Sequence, residues 1–258
     1  MSDDFDDASD AVQPGLAIAA AEPSARPRFG LRSLFIATMA ICVVLAVLVP
    51  SIRASRLASL RIHCSNNMKL IALALLNYHD VYKKFPWAIT YAADGTAMHS
   101  WRVRLGPYLN SEMHFGSYDY RECWNGPTNR LLKDANQGPA FYRCPSAPTS
   151  QNQMCTNYVM LIDDRTGKPN GPPNRPGSVP PCFDDKSAVI VVEIADSDIH
   201  WMEPRDVLLS ELSMKINDRT KRSLSSYHGG ACIAHVDGSV EILDETTTEE
   251  RVRELLAH

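Results

Sequence analysis

The chain lacks the short motifs that mark the common catalytic sites. It has no H-E-x-x-H metalloprotease motif, no G-x-S-x-G nucleophile motif and no G-x-x-x-x-G-K-[ST] phosphate loop. No two cysteines stand in a C-x-x-C pair, so we expect neither a thioredoxin-type redox site nor a structural zinc site. These absences favour a protein that is not an enzyme, with no catalytic residue and no cofactor.

Most of the chain also carries no net charge. The whole net charge of −4 lies in residues 1–28, so residues 29–258 are neutral. A neutral chain of this kind argues against a nucleic-acid-binding surface. The first 28 residues are acidic, rich in Ala, Ser and Pro and poor in large apolar side chains, and this composition predicts a disordered cytoplasmic tail.

A charge-free apolar run follows this tail. Residues 33–52 read SLFIATMAICVVLAVLVPSI and are flanked by Arg32 and Arg53. At about 1.5 Å of rise per residue, such a run makes roughly 30 Å of helix, enough to cross the hydrocarbon core of a membrane. A buried core helix and a cleaved signal peptide are the alternatives. We expect an uncleaved transmembrane helix over residues 29–53, with the membrane as the first partner.

The cysteines indicate which side of the membrane the rest of the chain occupies. Cys42 lies inside the apolar run and six cysteines follow it, namely Cys64, Cys123, Cys144, Cys155, Cys182 and Cys232. An even number suits disulfides in an oxidising compartment, with 15 possible pairings. We therefore expect a single-pass protein of the inner membrane, with its N-terminus in the cytoplasm and residues 54–258 as an extracytoplasmic head.

An apolar stripe extends the helix beyond the membrane. It runs at steps of three or four residues and comprises Leu57, Leu60, Cys64, Met68, Ile71, Leu75, Tyr78 and Tyr82. Phe85-Pro86 ends this helix, because the residue before a proline avoids helical geometry. Residues 87–185 are rich in turn residues and predict long loops. Residues 187–195, SAVIVVEIA, predict a buried strand whose one charge is Glu193.

The last part of the chain predicts a hairpin and a short helix. Asp237-Gly238 favours a two-residue type I′ turn, which pairs Val236 with Ser239 and Ile233 with Ile242. One face then carries Ala231, Ile233, His235, Val240 and Ile242, so His235 is expected to be a packed core residue. Thr247 and Glu250 form a capping box before a helix over residues 251–257, with Val252, Leu255 and Leu256 on its inner side.

Seven segments, in this order, resemble a pilin-like family of unknown function that is abundant in planctomycete bacteria. They are CSNNMKLIALALLNYHDVYKKFP (64–86), HSWRVRLGPYL (99–109), WNGPTN (124–129), YRCPS (142–146), TNYVMLIDD (156–164), VVEIADSDIHWMEPRDV (191–207) and HGGACIAHVDGSV (228–240). The resemblance implies an α+β, pilin-like fold similar to type IV pilins and type II secretion pseudopilins. In that fold a long N-terminal helix, half of it in the membrane, packs on an antiparallel β-sheet with long loops.

The same resemblance implies which residues matter. The family motif at the C-terminal end comprises His228, Gly229, Gly230, Asp237 and Gly238, and we interpret it first as a turn and a hairpin. A metal or ligand site involving His228 is the alternative. Pseudopilin heads sometimes bind calcium near the C-terminus, and the carboxylates available here are Asp237, Glu241 and Asp244.

The resemblance also suggests a disulfide. Cys64 and Cys144 both belong to matched motifs, which makes a bridge between helix and head the first expectation; Cys123, Cys155, Cys182 and Cys232 would form two more. The alternative is free buried thiols. A second group of polar residues, Glu193 to Glu203 in EIADSDIHWMEP, is either a packed corner or an active site, and we favour the corner.

Three functions are compatible with these features. The first is a membrane-anchored structural or assembly protein, with other pilin-like subunits or a secretion machinery as partners. The second is an extracytoplasmic binding module for a glycan, a peptide or a calcium ion. The third is a metal-assisted hydrolase. The apolar run, the continuing helix and the order of the motifs favour the first. The sequence motif at Gly30 lacks the glutamate of a prepilin cleavage site, so we do not expect processing there.

Overall fold

A computed structural model describes residues 30–109, 115–133, 138–148, 151–162, 187–218 and 220–256. The chain divides into two compact units, Met1–Pro50 and Ser51–His258. The expected cytoplasmic tail, residues 1–28, lies outside the described residues. In the first unit the described residues are helical from Leu31 onward, and their side chains are exposed throughout.

Helix α1 spans Leu31–Tyr82 and contains Pro50. Among the described residues it is the one helix long and apolar enough to cross a membrane, and its most apolar stretch buries no residue within the protein. Proline lacks a backbone N–H and so removes one helical hydrogen bond. The division between the two units falls directly after this proline.

The second part of α1 packs one face on the rest of the second unit. The buried residues of α1 are Cys64, Ser65, Met68, Ile71, Ala72, Ala74 and Leu75. Their spacing confirms the middle of the predicted stripe, whereas Leu57 and Tyr82 are exposed and lie beyond the contact. The helix ends three residues before Phe85, because Lys83 adopts a left-handed conformation with φ 57° and donates its backbone N–H to the carbonyl of His79.

The remaining elements are short. Two strands, β1 (Ile89–Tyr91) and β2 (Ala97–Ser100), form an antiparallel pair. Helices α2 (Trp101–Arg104) and α3 (Asn129–Lys133) and the 3-10 turns Gly106–Tyr108 and Ala140–Tyr142 lie in the loop-rich middle of the chain, and a further 3-10 turn is Leu209–Glu211. Strands β3 (Cys155–Thr156) and β6 (Ile199–His200) form a second antiparallel pair.

The central sheet has five strands in the order β7-β4-β5-β8-β9. They are β4 (Tyr158–Ile162), β5 (Val189–Glu193), β7 (Val207–Leu208), β8 (Ala231–His235) and β9 (Val240–Leu243). The expectation of an antiparallel sheet is wrong in one position, since β7 runs parallel to β4. Parallel neighbours need a long connection, and the chain between these two strands includes β5 and β6.

The C-terminal hairpin differs by one residue from the predicted register. Ala234 pairs with Val240 and Ile233 with Glu241. The loop contains Val236, Asp237 and Gly238, and of these only Gly238 has a positive φ, whereas a type I′ turn requires two such residues. A three-residue loop therefore replaces the expected two-residue turn.

The sheet is covered on both faces. Residues of α1 form one core with the face that carries Val191, Cys232 and Ala234. The opposite face carries Val192 and Ile233 and packs against α4 (Glu249–Leu255). Val252 and Leu255 of this helix and its C-cap Leu256 are buried, as predicted. Its N-cap is Thr248 rather than Thr247, because the Thr248 hydroxyl accepts the backbone N–H of Arg251.

Candidate functional site

Four buried side chains from four separate segments meet between α1 and the sheet. Cys64, Cys144, Glu193 and His228 each place one potential ligand atom within 4.8 Å of the others. We call these residues the four-residue cluster. All four are classed among the buried residues of the protein. The cluster joins residues 164 positions apart in sequence, so no local spacing pattern could have indicated it.

The two cysteines enter the cluster from opposite sides. Cys64 lies on the buried face of α1, and its carbonyl oxygen accepts the hydroxyl of Tyr158 on β4 at 3.3 Å. Cys144 follows a 3-10 turn, and its backbone N–H donates to the side-chain oxygen of Asn157 at 2.8 Å. The same asparagine side chain also donates to the carbonyl of Ala195 at 2.5 Å, just beyond β5. Asn157 therefore fixes the Cys144 loop against the end of β5.

Glu193 is the last residue of β5 and the charged exception in a β-branched strand. It is 0% exposed. Its Oε2 accepts the backbone N–H of Cys232 on the neighbouring strand β8, at 3.0 Å. This hydrogen bond sets the direction of the carboxylate, because it holds one oxygen against β8 and leaves the other, Oε1, facing His228 at 3.7 Å from Nε2.

The paired glycines bring His228 into the cluster. Gly229 and Gly230 have φ values of 81° and 83°, in the left-handed region that suits glycine. A Cβ on Gly230 would lie 2.3 Å from the carbonyl oxygen of Leu243, so the chain passes too close to β9 for any other residue. The turn that we expected at this motif thus also turns the His228 ring inward, and Arg61 on α1 donates to the His228 carbonyl at 3.2 Å.

The hydrogen bonds of the His228 ring indicate its tautomer. Nδ1 lies 3.2 Å from the carbonyl oxygen of Gly229 and 3.0 Å from the hydroxyl of Ser226. A carbonyl oxygen can only accept, so the proton belongs on Nδ1. Nε2 then carries a lone pair, which faces the Glu193 carboxylate.

The cluster concentrates groups that can carry negative charge in a dry site. Cys64 and Cys144 hydrogen-bond through their thiols, an interaction that lowers the pKa of Cys144 and raises that of Cys64. Burial raises the pKa of Glu193, and the Cys144 thiol beside it acts in the same direction. Burial likewise raises the pKa of Cys232, which adjoins Glu193. The raised pKa values of Cys64, Glu193 and Cys232 show that negative charge on these three groups is unfavourable, whereas the lowered pKa of Cys144 makes it the group on which negative charge is stabilised.

Two polar atoms of the cluster are left without a hydrogen bond. Among the described residues, neither Glu193 Oε1 nor His228 Nε2 has a hydrogen-bond partner, and both side chains are 0% exposed. The 3.7 Å between them is too long for a hydrogen bond. Buried polar atoms in native proteins are nearly always satisfied, and the exceptions call for an explanation such as a bound ion.

The cysteines that we expected to form disulfides are not bonded to one another in the described part of the chain. All six described cysteines, Cys42, Cys64, Cys123, Cys144, Cys155 and Cys232, are free thiols, and Cys182 lies outside the described residues. Cys64 and Cys144 are neighbours, but the disulfide expected between them stays a prediction. Cys232 lies beside the four-residue cluster, while Cys155 is on β3 and Cys123 is partly exposed near Asn125. The remaining pairings stay predictions.

The three carboxylates considered for calcium do not form a group within the described part of the chain. Asp237 accepts the backbone N–H of Ser239 within its own turn at 2.8 Å. Glu241 lies on β9 with its carboxylate 3.6 Å from His235, and Asp244 follows that strand. Gly238 at the tip of the hairpin approaches Leu76 of α1, so this part of the motif is a packing contact.

The residues of the second polar group are held in a corner. Trp201 is buried and its ring lies 5.4 Å from that of Phe115 in an edge-to-face arrangement. Glu203 accepts the backbone N–H of His200 and pairs with Arg205 at 2.7 Å.

His235 is also buried, with Nδ1 2.6 Å from the carbonyl of Ser187. Glu193 and His228 each stand out in the sequence, but no local pattern connects them with each other or with the cysteines.

Residues 53–193 match the model of a family described as "Protein of unknown function (DUF1559)", and the chain belongs to that family. No curated protein and no solved structure matches the chain. The matched range contains Cys64, Cys144 and Glu193, while His228 lies beyond it.

Proposed function

We propose that this member of the DUF1559 family is a membrane-anchored structural or assembly protein with a pilin-like, extracytoplasmic head. The observation that carries the proposal is the division of α1 into two kinds of surface. Its first part exposes apolar side chains on every side, which fits a helix surrounded by lipid. Its later part buries one face against the sheet of the second unit.

The outer face of the same helix supports assembly. Ile62, Leu70, Leu73 and Val81 are large apolar residues of this part of α1, and each exposes between 51% and 62% of its surface. Their successive spacings of eight, three and eight residues place them along one side of the helix. In a pilin-like assembly, such a stripe would contact the same helix of a neighbouring copy.

The anchor has a direct test. The full-length protein should stay with the membrane pellet after extraction at alkaline pH and should enter the soluble fraction only with detergent. A protease added to cells whose outer membrane has been opened should degrade the head if it lies outside the cytoplasm. Release of the protein by alkaline extraction would contradict the anchor, and protection of the head in such opened cells would contradict the orientation.

Assembly is tested by cross-linking through an introduced cysteine. We expect Leu73→Cys to give dimers in native membranes after mild oxidation, because residue 73 faces outward on α1. Glu250→Cys, an exposed position on α4, is the matched control and should remain monomeric. The unmodified protein reports any background from its own cysteines. If Leu73→Cys gives no more dimer than either control, the assembly role loses its support.

A further inference from the structure

The spacing of the four-residue cluster suits a single metal ion. Bonds of about 2.0–2.3 Å in a tetrahedron separate ligand atoms by roughly 3.3–3.8 Å. The four candidate atoms lie within 4.8 Å of one another, and Glu193 Oε1 is 3.7 Å from His228 Nε2. Small movements of the side chains would therefore close the group around an ion.

The two unpaired atoms need a cation between them. Glu193 Oε1 is an acceptor, and His228 Nε2 presents a lone pair because the proton is on Nδ1. Neither atom has a hydrogen bond of acceptable geometry within the described residues, and the Cys144 thiol is a side chain that adjoins both Glu193 and His228. A metal ion bound to both atoms and to that sulfur would satisfy all three.

The surroundings of the cluster resemble an outer ligand shell. The His228 Nδ1–H donates toward the Gly229 carbonyl, an arrangement that orients metal-bound histidines. The other oxygen of Glu193, Oε2, accepts the backbone N–H of Cys232. Cys144 Sγ lies 2.9 Å from the hydroxyl of Ser146, which can donate to a thiolate. Thus three of the four candidate ligands are held in place by a second hydrogen bond.

We propose that Cys64, Cys144, Glu193 and His228 bind one zinc ion that ties α1 to the sheet. Two thiolates and an imidazole favour zinc over calcium or magnesium, which take oxygen ligands. Four protein ligands complete a tetrahedron and leave no open position, so the site is structural rather than catalytic. Because the chain has no C-x-x-C pair, the sequence predicted no structural zinc site. That motif marks only sites whose ligands are close in sequence, whereas these four ligands come from distant segments.

A disulfide between Cys64 and Cys144 would not account for the two unpaired atoms, Glu193 Oε1 and His228 Nε2, as a zinc ion does. That bond would consume both sulfur ligands and leave Glu193 Oε1 and His228 Nε2 as they are, buried and unpaired. Zinc satisfies all four atoms at once. The bound form carries a net charge of −1 from two thiolates, one carboxylate and Zn²⁺, and the Arg61 guanidinium beside His228 partly offsets it.

A surface cleft borders the turn that carries His228. A surface cleft of about 1020 Å³ is lined by Ser226 and Gly229, the two residues that contact the Nδ1 side of His228. Displacement of this short turn would expose the His228 ring to the cleft. The proposed site does not depend on membrane anchoring or on assembly, and either function can fail while the site stands.

The test measures zinc in the full-length protein, purified in detergent from its native membrane without chelator. We expect about one zinc per chain by elemental analysis. Cys144→Ser and His228→Ala should lower the retained zinc by at least ~10-fold. Cys155→Ser and His235→Ala change a buried cysteine and a buried histidine outside the cluster and should retain it. Metal-free native protein, or equal zinc in all variants, would overturn the proposal.

A second measurement does not rely on the variants being folded. Exchange of zinc for cobalt in the unmodified protein should produce the absorption of thiolate-to-cobalt charge transfer, together with the visible bands of a tetrahedral ion. A cobalt complex without the thiolate band would exclude Cys64 and Cys144 as ligands. A Cys64–Cys144 disulfide in the native protein would equally contradict the site.

Discussion

Replacement of Asp206 by alanine should destabilise the second unit by about 3–5 kcal/mol, because it leaves a buried guanidinium without its partner. Arg102 Nη2 lies 2.6 Å from Asp206 Oδ1, and both side chains are 0% exposed. The carboxylate also accepts the backbone N–H of Met160 at 2.9 Å and the indole N–H of Trp101 at 3.1 Å. Arg102 donates in addition to the carbonyl of Tyr158 at 3.1 Å.

The magnitude follows from what the single substitution leaves behind. Burial raises the pKa of Asp206, while the Arg102 guanidinium opposes that change. Three donors converge on the carboxylate, so its loss leaves a charge and two N–H groups unsatisfied in a dry core. If Arg102 is replaced by Met as well, no buried charge is left without a partner. The double variant Arg102→Met/Asp206→Leu should therefore lose at least ~1.5 kcal/mol less unfolding free energy than the sum of the losses in Arg102→Met and Asp206→Leu.

Urea unfolding of the full-length protein in detergent, followed by tryptophan fluorescence, measures these differences. Trp101 contacts Asp206 directly and reports on the site. The matched control is Arg121→Ala, which removes an arginine paired with Asp119 at 2.7 Å on the surface and should change stability little. An Asp206→Ala variant as stable as this control, or strict additivity in the double variant, would refute the reasoning.

Three further predictions concern packing, backbone and pH. Leu75→Ala on the buried face of α1 should cost about 2–5 kcal/mol in urea unfolding, whereas the exposed Leu73→Ala should cost little. Gly230→Ala should lower the melting temperature much more than Gly95→Ala, since both glycines have a positive φ but only Gly230 approaches a backbone carbonyl. Burial, and to a lesser extent the charge of Arg104, lowers the pKa of His99 below 6.5. The folded protein therefore favours the neutral ring, so the stability that His99 contributes is present above pH 6.5 and is lost as the pH falls. His99→Gln should flatten the decline of stability below pH 6.5, and an unchanged slope would exclude His99 as its cause.

The sequence predicted the elements that rest on local periodicity. The spacing of Cys64, Met68, Ile71 and Leu75 identified the inner face of α1, because a helix repeats every 3.6 residues whatever surrounds it. The β-branched run identified β5 for a similar reason. Its one charged residue, Glu193, was the available signal of a site, since a carboxylate is rarely buried without a partner.

Features that depend on tertiary contacts were missed. The hairpin register differs by one residue from the predicted one because Val236 does not pair with β9. Val236 is buried, and its N–H donates instead to the carbonyl of Ala188, next to β5, so that Val236 becomes part of the loop. Gly238 then packs on Leu76 of α1. The four-residue cluster was missed for the same reason, because its members meet only once α1, the Cys144 loop and two strand ends have packed together.

The most direct test of the proposed zinc site is a native mass spectrum of the full-length protein released from detergent. The chain is then denatured, and its free thiols are counted by alkylation. We expect one zinc per chain, and reactive thiols at Cys64 and Cys144 after the metal is removed. A metal-free chain in which a disulfide joins these two cysteines would contradict it.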